Sequence, residues 1–308
     1  MRIAIIGAGG VGAVFGAALQ QAGAEVAFLA RGANLQALQE QGLTIRDETG
    51  AVLFAGPVTA TDDPAAIGPV GLVILTVKLW DLATAAAAAR PLIGPGTLLL
   101  PLQNGVEAAD IVATALPGPE VLGGVAHVSA RIESPGVIRQ TGALRRLTFG
   151  RRDGSMSDAV RALDRLCRAA GIEGGASDRI EVALWEKFAF LAAFAGVGAA
   201  ARQPVGVIRS VRETRAVLVA AIAEIEAVGR ARGVGLPADF AARILAALDE
   251  RPPMIRTSMQ QDLEAGGRLE LPWLSGAVVR LGAAAGVPTP THAALLGVLA
   301  PYVGGGPR

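Results

Sequence analysis

The sequence predicts an α/β protein, with an N-terminal Rossmann-type dinucleotide-binding domain followed by an all-helical C-terminal domain. Through the first half, short β-rich runs alternate with helical runs, which is typical of βαβ units and a parallel sheet. A glycine cluster follows the first of these runs, and strand-like runs disappear after about residue 178. At 308 residues the chain is also long for one hydrophobic core. We therefore expect a first domain over residues 1–175 and a second over residues 176–308.

Hydrophobic periodicity and turn residues define the elements of the first domain. Strands are predicted at Arg2–Ile6, Glu25–Ala30, Leu72–Val77 and Thr97–Leu102. Helices are predicted at Val11–Ala22, Leu35–Gln41, Leu82–Arg90 and Val106–Ala115, with a short helix capped by Asp62-Asp63-Pro64. The turn at 47–50 predicts a hairpin of Leu43–Arg46 and Val52–Phe54, and Val121–Phe149 indicates short strands around Ser134-Pro135-Gly136.

The second domain is predicted to consist of helices separated by glycine and proline. These helices are Ile180–Ala201, Glu213–Arg232, Ala238–Leu248, Ser258–Glu264, Leu274–Ala285 and Thr291–Ala300. The uncharged stretch Phe188–Ala201 is shorter than the roughly 20 residues that span a bilayer. The stretch Ile3–Leu19 resembles a signal peptide but carries five glycines, which suit a strand-to-helix turn. We expect no membrane segment and no export signal.

Composition excludes several classes of function. The 28 basic and 27 acidic residues give a net charge of +1, which does not favour nucleic-acid binding. The two histidines, His127 and His292, are isolated, so no metal site is expected, and His127 suits a structural role. The single cysteine, Cys167, lies on the apolar side of a predicted helix and fits a core position in a reducing cytoplasm. Asp62-Asp63 and Arg145-Arg146 are interpreted as a helix cap and a solvated face.

The glycine cluster predicts the binding site for a dinucleotide. The residues Gly7, Ala8, Gly9, Gly10, Val11 and Gly12 match G-x-G-x-x-G. The pattern follows an apolar strand and opens a helix, so glycines permit a tight turn and the helix N-terminus offers free N–H groups to a pyrophosphate. A purely structural glycine turn is the alternative.

NAD sites usually place an acid at the end of the second strand, whereas this chain has Arg31, whose guanidinium suits a 2′-phosphate. This favours NADPH over NADH, although Arg31 could also be a surface residue.

The order of motifs resembles the ketopantoate reductase (2-dehydropantoate 2-reductase) family. The matching segments are Gly7–Gly12, Ala30-Arg31-Gly32, Thr76-Val77-Lys78, Leu102-Gln103-Asn104-Gly105, Leu184-Trp185-Glu186-Lys187-Phe188, Thr257-Ser258-Met259 with Asp262, and Leu269-Glu270. The resemblance implies an NADP-binding Rossmann domain and a helical domain for substrate binding and dimerisation. It implies NADPH-dependent reduction of a small 2-keto acid to a 2-hydroxy acid, as in pantothenate biosynthesis, by a cytoplasmic enzyme that is often a homodimer.

The resemblance assigns the general acid to Lys187, which lies in an otherwise apolar helix. Apolar surroundings disfavour the ammonium and lower the pKa of a lysine, although a lysine packing its stem on apolar neighbours is the plainer alternative. In the family a carboxylate at the position of Glu270 holds the lysine, and a hydroxyl at Ser258 binds the substrate carboxylate. A surface charge and a helix N-cap are the respective alternatives for these two residues.

Asn104 and Lys78 are the remaining candidates for substrate or cofactor contacts. Each follows a predicted strand, at the edge where open α/β sheets bind ligands. Both types are rare here, because only Lys78 and Lys187 are lysines and only Asn34 and Asn104 are asparagines. Codon bias explains the rarity, but an arginine could not replace a lysine whose pKa must be tuned.

One departure from the family pattern concerns the substrate. The family carries asparagines four and eight residues after the catalytic lysine, where this chain has Leu191 and Ala195. An apolar wall cannot discriminate by hydrogen bonds, so we expect a 2-keto acid with a more apolar side chain than ketopantoate. Two alternatives stay open: an NADP(H)-binding sensor without turnover, and a hydroxyacid or opine-type dehydrogenase working in the oxidative direction.

Overall fold

The computed structural model describes residues 1–306, which form two compact units. The first unit comprises Met1–Gln103 and Ala108–Ile180, and the second comprises Asn104–Glu107 and the chain from Glu181 onward. The division falls at 180 rather than at the expected 175, and a four-residue segment leaves the first unit. That segment belongs to the second unit because Val106 packs against the hydrophobic core of the helices.

A six-stranded parallel sheet forms the centre of the first unit, as the alternating pattern predicts. Its strands are β1 (Arg2–Ile6), β2 (Glu25–Leu29), β5 (Thr59–Thr61), β6 (Val70–Leu75), β7 (Ile93–Pro101) and β8 (Glu120–Val121). They are ordered β5-β2-β1-β6-β7-β8. The stretch Ile3–Leu19 therefore supplies the central strand and the helix after it, and both are largely buried. The three-residue edge strand β5 is too short to show in the sequence pattern.

A second, five-stranded sheet corrects the prediction of short strands after residue 121. Its members are β3 (Leu43–Arg46), β4 (Val52–Gly56), β9 (Gly123–Ser134), β10 (Val137–Gly150) and β11 (Glu173–Ala176). The predicted hairpin is confirmed as the antiparallel pair β3–β4, and β10 pairs with β3, β9 and β11. Register shifts within the β9–β10 pair interrupt the alternation of apolar residues, so two long strands resemble several short ones in sequence.

Helices complete the first unit and cover its sheets. They are α1 (Gly10–Gln21), α2 (Gly32–Gln41), α3 (Pro64–Ile67), α4 (Leu82–Ala88), α5 (Ala108–Ala115) and α6 (Asp158–Ala169). Asp63 caps α3 through its side chain, as predicted. Cys167 is fully buried in α6, and burial raises the pKa of its thiol to about 12, which confirms a core role.

The second unit is helical throughout its described part. Its helices are α7 (Ile180–Ala201), α8 (Val205–Ser210), α9 (Arg212–Ala231), α10 (Phe240–Asp249), α11 (Ser258–Glu264), α12 (Ser275–Ala285) and α13 (Pro290–Leu299). Six were predicted within two residues at each end, and the short α8 was missed. Within residues 1–306, α7 alone has the length and hydropathy of a membrane span, yet 61% of its apolar window is buried in the folded chain.

Candidate active site

The carboxyl ends of three neighbouring strands gather the predicted cofactor residues of the first unit. Strand β1 lies between β2 and β6, and all three are parallel. The glycine turn 7–12 follows β1, Arg31 follows β2, and Lys78 comes three residues after β6. Because parallel strands end at one edge of a sheet, the topology places these residues along the same edge, where α/β proteins bind nucleotides.

Three glycines of this turn have surroundings that a side chain would not tolerate, and at one of them, Gly10, a Cβ would lie 2.2 Å from the carbonyl oxygen of Ala130. Gly7 has φ = 106°, in the left-handed region, and a Cβ there would lie 3.0 Å from the nitrogen of Val77. A Cβ on Gly12 would lie 2.2 Å from the carbonyl oxygen of Gly7. These contacts let α1 start directly against β1. By contrast, a Cβ on Gly9 would meet no atom within 4 Å, so the turn opens onto free space at the helix N-terminus.

The open face of the turn fits an anionic group such as a pyrophosphate. The first N–H groups of a helix have no acceptor inside it, and the first bond back to the turn runs from the N–H of Ala13 to the oxygen of Gly9. The N–H groups at Gly10, Val11 and Gly12 are therefore the ones that α1 leaves without an intrahelical acceptor, at the positive end of its dipole.

Two side chains that sequence reasoning gave no role hold the turn from outside. The Thr76 hydroxyl donates to the oxygen of Gly7 at 2.6 Å, and the Asn34 amide donates to the oxygen of Ala8 at 3.1 Å. The signs in the sequence were that Asn34 is one of two asparagines and that Thr76 lies in a segment that matches the family.

Arg31 and Lys78 both begin helical segments at this edge. Arg31 is exposed and is the N-cap of α2, so its guanidinium is available to a ligand. Lys78 is also exposed and begins the one-turn helix Leu79–Asp81. Its ammonium lies 5.5 Å from the ring centroid of Trp80, a cation–π distance that holds the charge near the sheet edge.

The second unit brings together Lys187, Glu270 and Asn104. Lys187 is half-buried in α7, and Glu270 is only 8% exposed, which overturns the alternative of a surface loop charge. The Asn104 amide donates to the Glu270 carboxylate at 3.4 Å, although 166 residues separate them. A buried carboxylate is costly unless it is paired or hydrogen-bonded, and this amide and the nearby lysine meet that need.

Electrostatics tune the lysine of this cluster. Burial lowers the pKa of Lys187 to about 8, and the attraction of the Glu270 carboxylate works in the opposite direction. A lysine with such a pKa is mostly protonated at neutral pH yet releases its proton far more readily than an exposed one. This is the property required of a general acid.

The short segment that carries Asn104 is anchored in the second unit. Glu107 accepts a hydrogen bond from Arg280 at 2.7 Å, and a Cβ on Gly105 would lie 3.1 Å from the oxygen of Trp273. Just before it, Gln103 belongs to the first unit and donates to the oxygens of Leu75 and Val77. Gln103 is therefore held within the first unit, and residues 104–107 are held within the second.

Ser258 is exposed at the first position of α11. The N-cap is the preceding residue, Thr257, whose hydroxyl accepts the N–H of Gln260 at 3.2 Å. The alternative of Ser258 as the N-cap is therefore wrong, and the Ser258 hydroxyl does not cap α11.

The wall of α7 beyond Lys187 is apolar. Leu191 is half-buried and Ala195 is buried, and no amide replaces the asparagines of the family pattern on these two turns. Next to Leu191, the half-buried ring of Phe190 lies 5.1 Å from the Arg251 guanidinium and contacts Phe194 edge-on, with 6.3 Å between centroids. Sequence reasoning did not single out this aromatic pair.

A Rossmann-type unit with a glycine turn before its first helix and a helical unit with a lysine–carboxylate–amide cluster together define a class of two-unit oxidoreductases. Models of the family described as "Ketopantoate reductase PanE/ApbA" and of its C-terminal part match residues 3–154 and 179–303. The chain therefore belongs to the ketopantoate reductase family.

Individual relatives resemble the chain over nearly its whole length. The 2-dehydropantoate 2-reductase of Mesorhizobium japonicum is 31% identical over 320 aligned residues, covering 97% of each chain. The PanE/ApbA family ketopantoate reductase from Ralstonia eutropha JMP134 has a TM-score of 0.87 at 33% identity, with 98% of each chain covered. D-mandelate dehydrogenase, solved with NADH and anilino(oxo)acetate, shares the fold with a TM-score of 0.88 at 22% identity, again over 98% of each chain.

Proposed function

We propose that this protein is an NADPH-dependent reductase that converts a 2-keto acid to a 2-hydroxy acid, with Lys187 as the general acid. The observation that carries the proposal is the cluster of Lys187, Glu270 and Asn104 in one unit. A ketone that accepts a hydride becomes an alkoxide, so it needs a proton donor beside it. The cluster offers a half-buried lysine of lowered pKa and a buried carboxylate to hold it.

Each remaining residue has a role that its position supports. The reduced nicotinamide cofactor supplies the hydride when it is bound. The glycine turn 7–12 would hold its pyrophosphate, Arg31 its 2′-phosphate, and Lys78 would contact cofactor or substrate. Ser258 would bind the substrate carboxylate through its exposed hydroxyl, and Asn104 would contact the substrate or the nicotinamide ribose while orienting Glu270.

Lys187 would carry the proton on Nζ and give it to the oxygen that was the keto oxygen. Glu270 would keep the ammonium in place and raise its proton affinity, because its charge favours the protonated form. The neutral amine then recovers a proton from solvent. The overall change adds one hydride to carbon and one proton to oxygen.

The substrate that the α7 wall supports is a 2-keto acid with an apolar side chain. Leu191 and Phe190 offer aliphatic and aromatic surface where hydrogen-bonding amides would be needed for a hydroxylated substrate. The proposal includes the cytoplasmic location expected from the sequence. It also includes a homodimer, which exposed apolar side chains such as Met254, at 71%, and Val298, at 62%, support.

Following NADPH and NADH absorbance with a panel of 2-keto acids tests the proposed function. We expect turnover with NADPH, a lower kcat/KM with NADH, and faster reduction of branched or aromatic 2-keto acids than of ketopantoate. Cofactor binding without turnover on any acid would favour the sensor alternative. Higher rates with NADP and a 2-hydroxy or amino acid would favour the oxidative dehydrogenase. A kcat/KM for ketopantoate that is orders of magnitude above those of the other acids would contradict the proposal of an apolar substrate.

The rate of reduction should depend on pH through Lys187. The ammonium is the reactive form, and its pKa is lowered to about 8. We therefore expect kcat/KM for the keto acid to be flat below pH 8 and to fall up to about ten-fold per pH unit above it. Oxidation of the 2-hydroxy acid needs the neutral amine, so it should rise through the same range.

The variant Glu270→Gln separates this effect from other titrations. Removing the carboxylate removes the attraction that raises the pKa of Lys187. The alkaline limb of the pH profile, which is the fall of kcat/KM above about pH 8, should therefore move to lower pH. A limb that stays in place in Glu270→Gln would mean that another group titrates.

A further inference from the structure

Side chains from outside the glycine turn hold two consecutive carbonyl groups of that turn. Thr76, just beyond the end of β6, holds the oxygen of Gly7, and Asn34, in the first turn of α2, holds the oxygen of Ala8. Neither contact is part of β1 or α1, because β1 is paired with a strand on each side and α1 is a continuous helix from Gly10 to Gln21. The contacts act on the loop between them.

The geometry of the peptide bond links each held carbonyl group to the direction of the N–H group that follows it. In a trans peptide the C=O and the following N–H point in opposite directions. Holding the oxygen of Ala8 toward α2 therefore directs the N–H of Gly9 to the other side, and holding the oxygen of Gly7 does the same for the N–H of Ala8. A Cβ built on Gly9 would meet no atom within 4 Å, so there is open space beside the residue that carries this N–H.

We propose that Asn34 is a positioning residue for cofactor binding: its amide fixes the Ala8–Gly9 peptide so that the Gly9 N–H faces the pyrophosphate. The inference rests on the proposed function, since it assumes that a dinucleotide occupies the turn. Asn34 acts through the backbone and needs no contact with the ligand. Thr76 does the same for the preceding peptide.

Both ends of the Asn34 amide are used, which explains the residue type. Its Nδ2 donates to Ala8, and its Oδ1 accepts the N–H of Gly136 at 2.9 Å. Gly136 lies at the tip of the β9–β10 hairpin, so the side chain ties the turn, α2 and the second sheet together. Aspartate could keep the bond to Gly136 but could not donate to a carbonyl, and it would bring a negative charge toward the phosphates.

Calorimetric titration of Asn34→Asp with two cofactor fragments tests the inference without any turnover. The fragment 2′-phospho-ADP-ribose contains the pyrophosphate, whereas 2′-AMP contains only the adenosine end. We expect 2′-phospho-ADP-ribose to bind about ten-fold more weakly than to the wild type, which corresponds to one lost hydrogen bond. Binding of 2′-AMP should change by less than about two-fold, and the Tm should stay close to that of the wild type.

Gln39→Glu is the matched control, because it makes the same amide-to-carboxylate change on the same helix. The Gln39 amide also donates to a backbone oxygen, that of Ala60 at 3.0 Å, but away from the turn. Gln39→Glu should leave the affinities for both fragments within about two-fold of the wild-type values. Thr76→Val should weaken binding of 2′-phospho-ADP-ribose selectively, and Thr76→Ser, which keeps the hydroxyl, should restore it.

Failure of this inference differs from failure of the proposed function. If the wild type binds neither fragment, or binds 2′-phospho-ADP-ribose far more weakly than ADP-ribose, the proposed NADPH site is wrong. If the wild type binds both and Asn34→Asp binds 2′-phospho-ADP-ribose equally well, or loses both fragments to the same extent, Asn34 does not position the turn.

Discussion

Replacing Lys187 by alanine is expected to lower kcat for keto-acid reduction by about 10²- to 10⁴-fold, the contribution typical of general acid catalysis. The alkoxide would then have to take its proton from water, and the alkaline limb of the pH profile near pH 8 should disappear. The affinity for NADPH should stay within about two-fold, because the residues proposed to hold its pyrophosphate and its 2′-phosphate lie in the first unit, whereas Lys187 would contact the keto oxygen. Single-turnover kinetics and fluorescence titration measure these two quantities separately.

Two further variants make this result interpretable. Lys187→Met keeps an apolar stem of similar length, so the same loss of kcat with a Tm at or above that of the wild type would exclude misfolding. Arg243→Ala removes a positive charge beside the same part of α7, since Arg243 pairs with Glu186 at 3.1 Å. Its kcat should stay within about two-fold. A loss of less than about five-fold in Lys187→Ala would remove this residue as the proton donor.

Introducing asparagine at Leu191 is expected to reverse the substrate preference. The amide could hydrogen-bond a hydroxylated side chain, so kcat/KM for ketopantoate should rise about ten-fold, by the energy of one hydrogen bond. The loss of apolar surface should lower kcat/KM for 4-methyl-2-oxopentanoate by a similar factor. The ratio of the two values should therefore change by about 100-fold, mostly through KM.

The half-buried position of Leu191 makes this the safer of the two sites to change. Ala195 is only 2% exposed in the core of the second unit, where an inserted amide would have to find partners. Leu191→Ala serves as the control for size, because it removes the apolar surface without adding an amide. Leu191→Ala should lower kcat/KM for 4-methyl-2-oxopentanoate without raising kcat/KM for ketopantoate. An unchanged ratio in Leu191→Asn would mean that α7 does not contact the substrate side chain.

If both results hold, the chain keeps the proton-transfer part of the family's site and differs in the part that contacts the substrate side chain. Hydride transfer to a ketone requires the same proton donor whatever side chain the substrate carries. Substrate choice depends on separate contacts and can change without loss of the reaction.

The sequence by itself determined the elements that have a strong local signal. The bounds of α7 and α11 agree with prediction to the residue, because flanking glycine, proline or capping residues mark their ends. The strand–turn–helix arrangement around residues 7–12 was predicted because strand, motif and helix follow one another within a few residues. Lys187 was predicted through the resemblance to the family, carried by the flanking Trp185-Glu186, since a lysine in an apolar helix would by itself indicate only packing of its stem.

The tertiary structure decided what depends on residues far apart in the chain. It buried Glu270 and brought Asn104 to it across 166 residues, and it put 104–107 in the second unit. It also built the second sheet from strands of both ends of the first unit, and it gave Asn34 its two partners. Local periodicity reports which face of an element is apolar, whereas the partner of a polar side chain is set by how separate elements pack, and that information is not contained in any single stretch of sequence.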